Sequence, residues 1–180
     1  CAPMLTEPLP STLDVRKAAA RGVSISGALK PLDLPRFKAL LAAETGTIRA
    51  DLSFSKDEED RLLVEVKFEA DVSVTCQRCL QPMDLSLAGD NALAIVWNDD
   101  QARHLPKHLD PLIAPEEGCN LWELVEDELI LAMSPFNYHE AEDCNEILSG
   151  LSGPDAEEAA GARRPNPFDV LAQLKTDDKH

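Results

Sequence analysis

The sequence predicts a single α+β domain: a curved antiparallel sheet of four or five strands, bent into a half-barrel, with a packed amphipathic helix and a tethered C-terminal motif. Three observations lead to this class. Apolar and polar residues alternate through residues 47–87, a capped helix follows a proline-rich stretch, and residues 149–164 have linker composition. The 180 residues are enough for one core. We therefore expect a domain over 1–148, a linker over 149–164 and a separate motif over 165–180.

Three short elements are predicted before the main sheet. A basic helix over residues 14–21 is ended by Gly22, and an alternating strand follows over 23–29. Apolar residues at helical spacing predict a second helix over 34–43.

Strict alternation of apolar and polar residues over 47–54 and 62–76 predicts an antiparallel hairpin with one solvent-exposed face. An acidic turn joins the two strands. The pattern continues after Cys79 until Gly89 interrupts it, which predicts a bulge or a sharp bend at that glycine. The apolar face of the strand predicted over residues 62–76 consists of eight residues: Leu62, Val64, Val66, Phe68, Ala70, Val72, Val74 and Cys76.

The stretch 98–118 contains three prolines and predicts a long loop. Asn120 is a good helix cap, and the helix it opens is predicted to end at Pro135. The apolar stripe of this helix consists of Leu121, Leu124, Val125, Leu129 and Ala132. Its acids Glu123, Glu126 and Asp127 are expected to face away from the core.

The formal net charge of −16 makes a general nucleic-acid binder unlikely, because such binding depends on Lys and Arg at phosphates. The charge is concentrated: residues 108–162 hold fourteen of the 33 acids and none of the 17 Lys and Arg. Such a run predicts a surface for a cationic partner, and a basic protein is the natural one, since ribosomal proteins and other nucleic-acid binders carry complementary patches. The alternative is a solvated face that aids solubility. The acids predicted to bind the partner are Glu123, Glu126, Asp127, Glu128, Glu140, Glu142 and Asp143.

No run of eighteen apolar residues is present, and the first residues do not resemble a secretory signal. We therefore expect a soluble chain without membrane contact. Five cysteines form an odd set in a chain long enough to fold without disulfides, so reduced thiols or metal ligands are expected.

The sequence offers one candidate metal site. Cys76 and Cys79 lie at a turn between two predicted strands, as in a zinc knuckle, and His139 and Cys144 are the best candidates to complete a Cys3His set. The alternative is that the two turn cysteines are small core residues. We therefore expect either no cofactor or one structural zinc.

Catalytic signals are sparse. The sequence contains no glycine-rich phosphate loop, nucleophile elbow or H-E-x-x-H motif, and consecutive helical acids such as Glu126 to Glu128 point in different directions. A non-enzymatic role is therefore expected. Two alternatives remain: a metal-dependent RNA-processing enzyme, and a zinc-stapled adaptor that binds RNA through the basic helix at residues 16–21.

Three segments in series resemble the YceD family of large ribosomal RNA subunit accumulation proteins: residues 76–79 (CQRC), 125–132 (VEDELILA) leading to Pro135 and His139, and 165–175 (PNPFDVLAQLK). The similarity covers nearly the whole chain, including residues 13–16 (LDVR). The resemblance implies a cytoplasmic, non-catalytic factor for the synthesis, processing or stability of large-subunit (23S) ribosomal RNA. Together with the acidic run, it predicts that the chain binds a basic ribosomal protein or large-subunit assembly intermediate and affects the RNA indirectly.

The sequence departs from one branch of this family. Some relatives carry a second C-x-x-C after the acidic helix, whereas residues 149–153 here contain no cysteine, which weakens the case for zinc. The C-terminal segment is predicted to be a docking motif on a flexible lead, and the alternative is that it packs on its own sheet. Its residues are Pro165, Asn166, Pro167, Phe168, Leu171 and Leu174.

Overall fold

A computed structural model describes residues 7–115, residues 118–140 and Cys144. The chain divides into two units, Cys1–Glu140 and Ala141–His180, and the helices and strands named below belong to the first. The predicted linker and the C-terminal motif lie outside the described residues. Their boundaries therefore stay predictions.

The first elements are the short strand β1 (Thr12–Leu13) and the helix α1 (Val15–Arg21). The side chain of Asp14 caps α1 by accepting a hydrogen bond from the Lys17 N–H at 3.0 Å. Gly22 ends the helix in the left-handed conformation at φ 66°. The predicted basic helix is confirmed to within one residue.

The main sheet contains β2 (Ser24–Leu29), β3 (Gly46–Lys56), β4 (Leu62–Thr75), β5 (Pro82–Val96) and β6 (Asp110–Ile113), in that order. Neighbours from β2 to β5 pair in antiparallel fashion, and β6 joins β5 in parallel. The sheet is mostly antiparallel, curved and unclosed, with β2 and β6 at its edges. The predicted α+β class and half-barrel are confirmed.

The predicted alternation fixes which face of the sheet is buried. In β4 every second residue from Val64 to Val74 is buried, and its neighbours are exposed or half-buried. Register brings Ile48 of β3 opposite Ala70 of β4, so that buried residues on the two strands share a face. Helix α1 packs against β3 and β4 on the buried side.

The prediction of a bulge or sharp bend in the strand at Gly89 is wrong. The β4–β5 register runs unbroken from Leu63 opposite Ala94 to Thr75 opposite Pro82, with Gly89 opposite Phe68. A Cβ on this glycine would lie 2.4 Å from Cζ of the Phe68 ring. Only glycine fits at this position because the ring of Phe68 covers it, and β5 continues past the glycine.

The predicted helix over 34–43 is shorter in the structure. A 3₁₀ turn (Pro31–Asp33) leads into α2 (Pro35–Lys38), and the chain then leaves the helix. The N–H of Leu41 still donates to the carbonyl of Lys38 at 3.1 Å, but the N–H of Ala42 donates to the carbonyl of Ser73 at 2.8 Å, so at Ala42 the backbone bonds to β4 near its end.

The predicted loop over 98–118 also contains regular structure. The short helix α3 (Asp99–Ala102) is capped by Asn98, and β6 follows it along the edge of β5. Pairing of β6 with β5 depends on a distant strand, so the local proline content does not reveal it.

The last two elements are β7 (Cys119–Asn120), which pairs antiparallel with β1, and the helix α4 (Leu121–Ala132). The side chain of Asn120 caps α4 by accepting from the N–H groups of Trp122 and Glu123. Helix α4 packs against β4 and β5. Four members of its predicted stripe are buried, while Ala132 is exposed. Within the described ranges, no helix has the length and apolar character needed to cross a membrane.

Candidate metal centre and acidic surface

The turn between β4 and β5 presents two cysteines. The N–H of Cys76 donates to the carbonyl of Gln81, and the N–H of Leu80 donates to the carbonyl of Cys76, each at 2.9 Å. Leu80 has a φ of 61°, which lets the chain reverse tightly. Cys76 and Cys79 are both buried in this turn.

The segment after α4 brings His139 to the same turn. The N–H of Gln77 donates to the carbonyl of Asn137 at 2.9 Å, which holds this segment beside the turn. The Nδ1 of His139 lies 3.3 Å from Sγ of Cys79, and the His139 N–H lies 3.4 Å from Sγ of Cys76. The Sγ and ring-nitrogen ligand atoms of these three residues are within 4.8 Å of one another.

The imidazole of His139 is oriented for metal binding through Nδ1. Its Nε2 lies 3.1 Å from the carbonyl oxygen of Pro82. Because a carbonyl oxygen only accepts hydrogen bonds, Nε2 carries the proton, and the lone pair of the neutral ring is on Nδ1, facing Cys79. A ring nitrogen fixed by a backbone carbonyl is the usual outer partner of a metal-ligating histidine.

The surroundings of Cys76 favour a thiolate. Burial disfavours the charged form and raises the pKa, but hydrogen bonds to the sulfur from the backbone of Cys79, His139 and Arg78 outweigh it and lower the pKa of Cys76 to about 5. A thiolate is the form that binds zinc.

Cys144 is buried and belongs to the second unit. In the first unit, Cys76, Cys79 and His139 supply two thiols and one imidazole that could hold a metal ion such as zinc, and Cys144 is the fourth ligand predicted from the sequence. Sulfur and imidazole donors without a carboxylate suit zinc far better than magnesium or calcium. The donor chemistry of the predicted residues thus fits zinc, and the metal site itself stays a prediction.

The other thiol and imidazole groups lie apart from this site. Cys119 is buried beside the cap of α4, and burial, followed by the charge of Glu123, raises the pKa of its thiol. His104 and His108 are exposed, and Nδ1 of His104 lies 2.6 Å from the carbonyl of Asp100.

The acids of α4 do not all face solvent, and the expectation that Glu126 faces away from the core is wrong. Only 2% of Glu126 is exposed. Its Oε1 accepts hydrogen bonds from the backbone N–H groups of Arg36 at 2.7 Å and Phe37 at 3.0 Å, and Oε2 accepts from Arg36 Nε at 2.9 Å. Leu34, the cap residue of α2, has no side-chain acceptor, so Glu126 satisfies the first N–H groups of that helix.

Arg36 joins two neighbouring acids of α4. Its Nη2 donates to Asp127 at 2.6 Å, while Nε bonds Glu126. Hydrogen bonds to Asp127 and then to Glu126 raise the pKa of Arg36 further above its usual range. No local pattern in the sequence indicates the role of this arginine, because its partners lie about ninety positions away.

The remaining acids differ in exposure. Glu128 is buried, and one of its oxygens accepts from Asn91 Nδ2 on β5. Glu123 and Glu140 are exposed. Glu142 and Asp143 lie outside the described residues. Burial of Glu126 and Glu128 restricts the predicted partner surface on α4 to Glu123 and Asp127.

The basic helix is less available to a ligand than its sequence indicates. The Arg16 guanidinium stacks over the Trp97 ring, 3.2 Å from its centroid, and Nη2 donates to the carbonyl of Ala114. Lys17 pairs with Asp14 at 2.8 Å. Two of its three cations therefore already have partners within the fold.

Comparison with known proteins identifies the family. The family model described as Large ribosomal RNA subunit accumulation protein YceD matches residues 64–175, more than half of the chain. This chain belongs to the YceD family. A YceD protein of Haemophilus influenzae, named Large ribosomal RNA subunit accumulation protein YceD, is 34% identical over 169 residues, which cover 93% of this chain and 96% of the relative. No solved structure matches the chain.

Membership of the YceD family confirms the resemblance carried by the three sequence segments. The matched range contains the cysteine turn, α4 and His139, so the candidate metal centre and the acidic helix both lie within the part that defines the YceD family.

Proposed function

We propose that this chain is a cytoplasmic, non-catalytic ribosome-biogenesis factor that acts in the synthesis, processing or stability of large-subunit (23S) ribosomal RNA. The name shared by the family model and the Haemophilus relative supports a role in accumulation of this RNA. The chain binds a basic ribosomal protein or large-subunit assembly intermediate, and it affects the RNA indirectly. The observation that carries this mechanism is the run 108–162, with fourteen acids and no Lys or Arg.

The exposed acids of this run are the proposed binding groups. Asp110, Glu123 and Glu140 are exposed, and none of them has an ion pair recorded among the described residues. Asp127 is exposed as well but pairs with Arg36. These carboxylates neutralise the cationic partner before ribosomal RNA receives it. Because their attraction acts at long range through water, association slows steeply as salt rises.

We also propose one structural zinc, held by Cys76, Cys79, Cys144 and Nδ1 of His139. Four protein ligands close the tetrahedron, and a closed site supports a structural role, because a catalytic zinc keeps one position for water or substrate. The ion would anchor the segment after α4 to the β4–β5 turn. This argues for the assembly factor over a metal-dependent RNA-processing enzyme.

The C-terminal motif is proposed as a second docking element for the same partner. It combines Phe168, Leu171 and Leu174 with two prolines and follows residues of linker composition.

The test is capture of purified large-subunit ribosomal proteins, and separately of naked 23S rRNA, by the full chain at several salt concentrations. We expect capture of basic ribosomal proteins that weakens with salt, and negligible capture of RNA. The double change Glu123→Lys and Glu140→Lys should abolish most of the protein binding. The matched control is Asp51→Lys with Asp84→Lys, two exposed acids on the open face of the sheet.

Three results would contradict the proposal: tight binding of naked rRNA, equal loss in the control variant, or cleavage of precursor rRNA by the purified chain with a divalent ion. The last result would favour the enzyme instead.

A further inference from the structure

A groove lies between two parts of the fold. The 3₁₀ turn and the start of α2 form one side of it, and the first turns of α4 form the other. Its volume is about 490 Å³. Leu34, Pro35 and Trp122 give it apolar walls, and the carboxylates of Asp33, Glu123 and Asp127 lie along it. The groove thus combines an aromatic surface with an acidic rim.

The aromatic wall is held in a fixed position. Nε1 of Trp122 donates to the carbonyl of Leu9 at 2.8 Å, and the side chain is half-buried. One edge of the indole is therefore anchored. A ring held in this way presents its face to a guest with little loss of conformational freedom.

The groove has a net negative charge. Four carboxylates line it against the single cation of Arg36, which gives a formal charge of −3. Arg36 engages Glu126 and Asp127, whereas Glu123 and Asp33 have no ion pair recorded in the described part of the chain. Asp33 accepts only from the backbone N–H of Lys30, at 2.9 Å. Two carboxylates therefore remain for a cation from outside.

Arg36 also indicates which cation fits. Its planar guanidinium donates from Nε to Glu126 at 2.9 Å and from Nη2 to Asp127 at 2.6 Å within this groove. A second guanidinium can stack on the indole face while donating in the same plane to a carboxylate, which the compact ammonium of lysine cannot do.

We propose that this groove receives an arginine side chain of the basic partner, stacked on Trp122 and paired with Glu123 and Asp33. The inference rests on the proposed function, which supplies a basic partner, and it names the side chain and the place where it binds. Glu123 belongs to both the groove and the acidic surface. The apolar walls of the groove provide selectivity for the side chain, which charge alone does not give.

The test uses the full chain and two fluorescently labelled ten-residue peptides of glycine and serine, one with three arginines and one with three lysines. We expect the arginine peptide to bind about fivefold more tightly than the lysine peptide, because stacking of a guanidinium on the aromatic face adds to the binding free energy. Glu123→Gln and Trp122→Leu should each weaken arginine binding about fivefold, with circular dichroism confirming the fold. Asp84→Asn, which removes the same charge from the open sheet face, should change it less than about twofold.

Equal affinity for the two peptides, or an equal effect of Asp84→Asn and Glu123→Gln, would overturn the groove as the binding place. If those results came with normal capture of ribosomal proteins, the groove would fail while the proposed function stood. If the peptides behaved as expected but no ribosomal protein were captured, the groove would stand and the proposed function would fail.

Discussion

The carboxylate of Glu126 lies 3.0 Å from the backbone nitrogen of Phe37, a residue that is fully buried. An acid from one helix therefore caps the start of another, and the pair joins α4 to α2 across the edge of the core. Since Arg36 adds a charged bond to the same carboxylate, this side chain stabilises the fold and is not free to bind a partner.

Replacing Glu126 by alanine should destabilise the protein. The change leaves the buried N–H of Phe37 without an acceptor, and we expect the free energy of unfolding to fall by about 2 kcal/mol. Urea denaturation followed by circular dichroism measures it. Glu123→Ala is the control: Glu123 is exposed, and its change should stay within about 0.5 kcal/mol. A loss at Glu126 no larger than the loss at Glu123 would contradict the capping role.

Gly89→Ala should destabilise the sheet through Phe68. The new methyl group would overlap the ring, whose Cζ is 2.4 Å from the position of the added Cβ, and overpacking of this kind costs about 1–3 kcal/mol. Combining Gly89→Ala with Phe68→Leu should cost less than the sum of the two single changes, because the smaller side chain makes room. Strictly additive losses in thermal unfolding would show that the two residues are not coupled.

Purified protein should contain one zinc per chain, measured by mass spectrometry of the metal. Cys79→Ser and His139→Asn should each lower the zinc content and the melting temperature, because a three-ligand site binds the ion less tightly. Cys119→Ala is the matched control, since this buried thiol lies outside the cluster. A chain that is equally stable with and without chelator would argue against a structural ion.

The β3–β4 turn should contribute stability that disappears in acid. Burial raises the pKa of Asp57, but bonds from Arg61 and from the Glu59 backbone outweigh it, so the folded pKa lies below the ordinary value of 3.8. A carboxyl whose pKa is lower in the folded than in the unfolded state stabilises the fold fully above its unfolded pKa. This stabilisation is lost as the pH falls through the folded pKa. Asp57→Asn should therefore lower the melting temperature at pH 7, and by progressively less as the pH falls below the ordinary pKa of 3.8. Glu58→Gln, at an exposed neighbouring position, should show no such pH-dependent difference.

Local patterns in the sequence predicted the elements whose structure depends on neighbours in the chain. The alternation of residues 47–54 and 62–76 predicts β3 and β4 because one face of each strand meets the core along its whole length. Asn120 predicts the start of α4 for a similar reason, since a cap bonds to N–H groups two and three positions on.

Contacts between distant residues account for what the sequence did not predict. The strand β6 forms because the edge of β5 accepts it, and Gly89 interrupts the apolar pattern because the ring of Phe68 lies across the strand. A distant contact also explains Glu126. Its position in the sequence is typical of a solvent-facing helical acid, but the folded chain places the start of α2 against its carboxylate. The candidate zinc ligands could be selected from the sequence because only a few residue types bind zinc, and the metal site itself stays a prediction.

The pairing of β1 with β7, together with the bond from Trp122 to the carbonyl of Leu9, has a consequence during protein synthesis. Strand β1 and the carbonyl of Leu9 meet these partners only after more than a hundred further residues have been synthesised. Until then the nascent chain displays unsatisfied strand edges and bare apolar side chains, which are the features that chaperones bind. A protein proposed to assist the making of ribosomes therefore depends on prompt completion of its own translation.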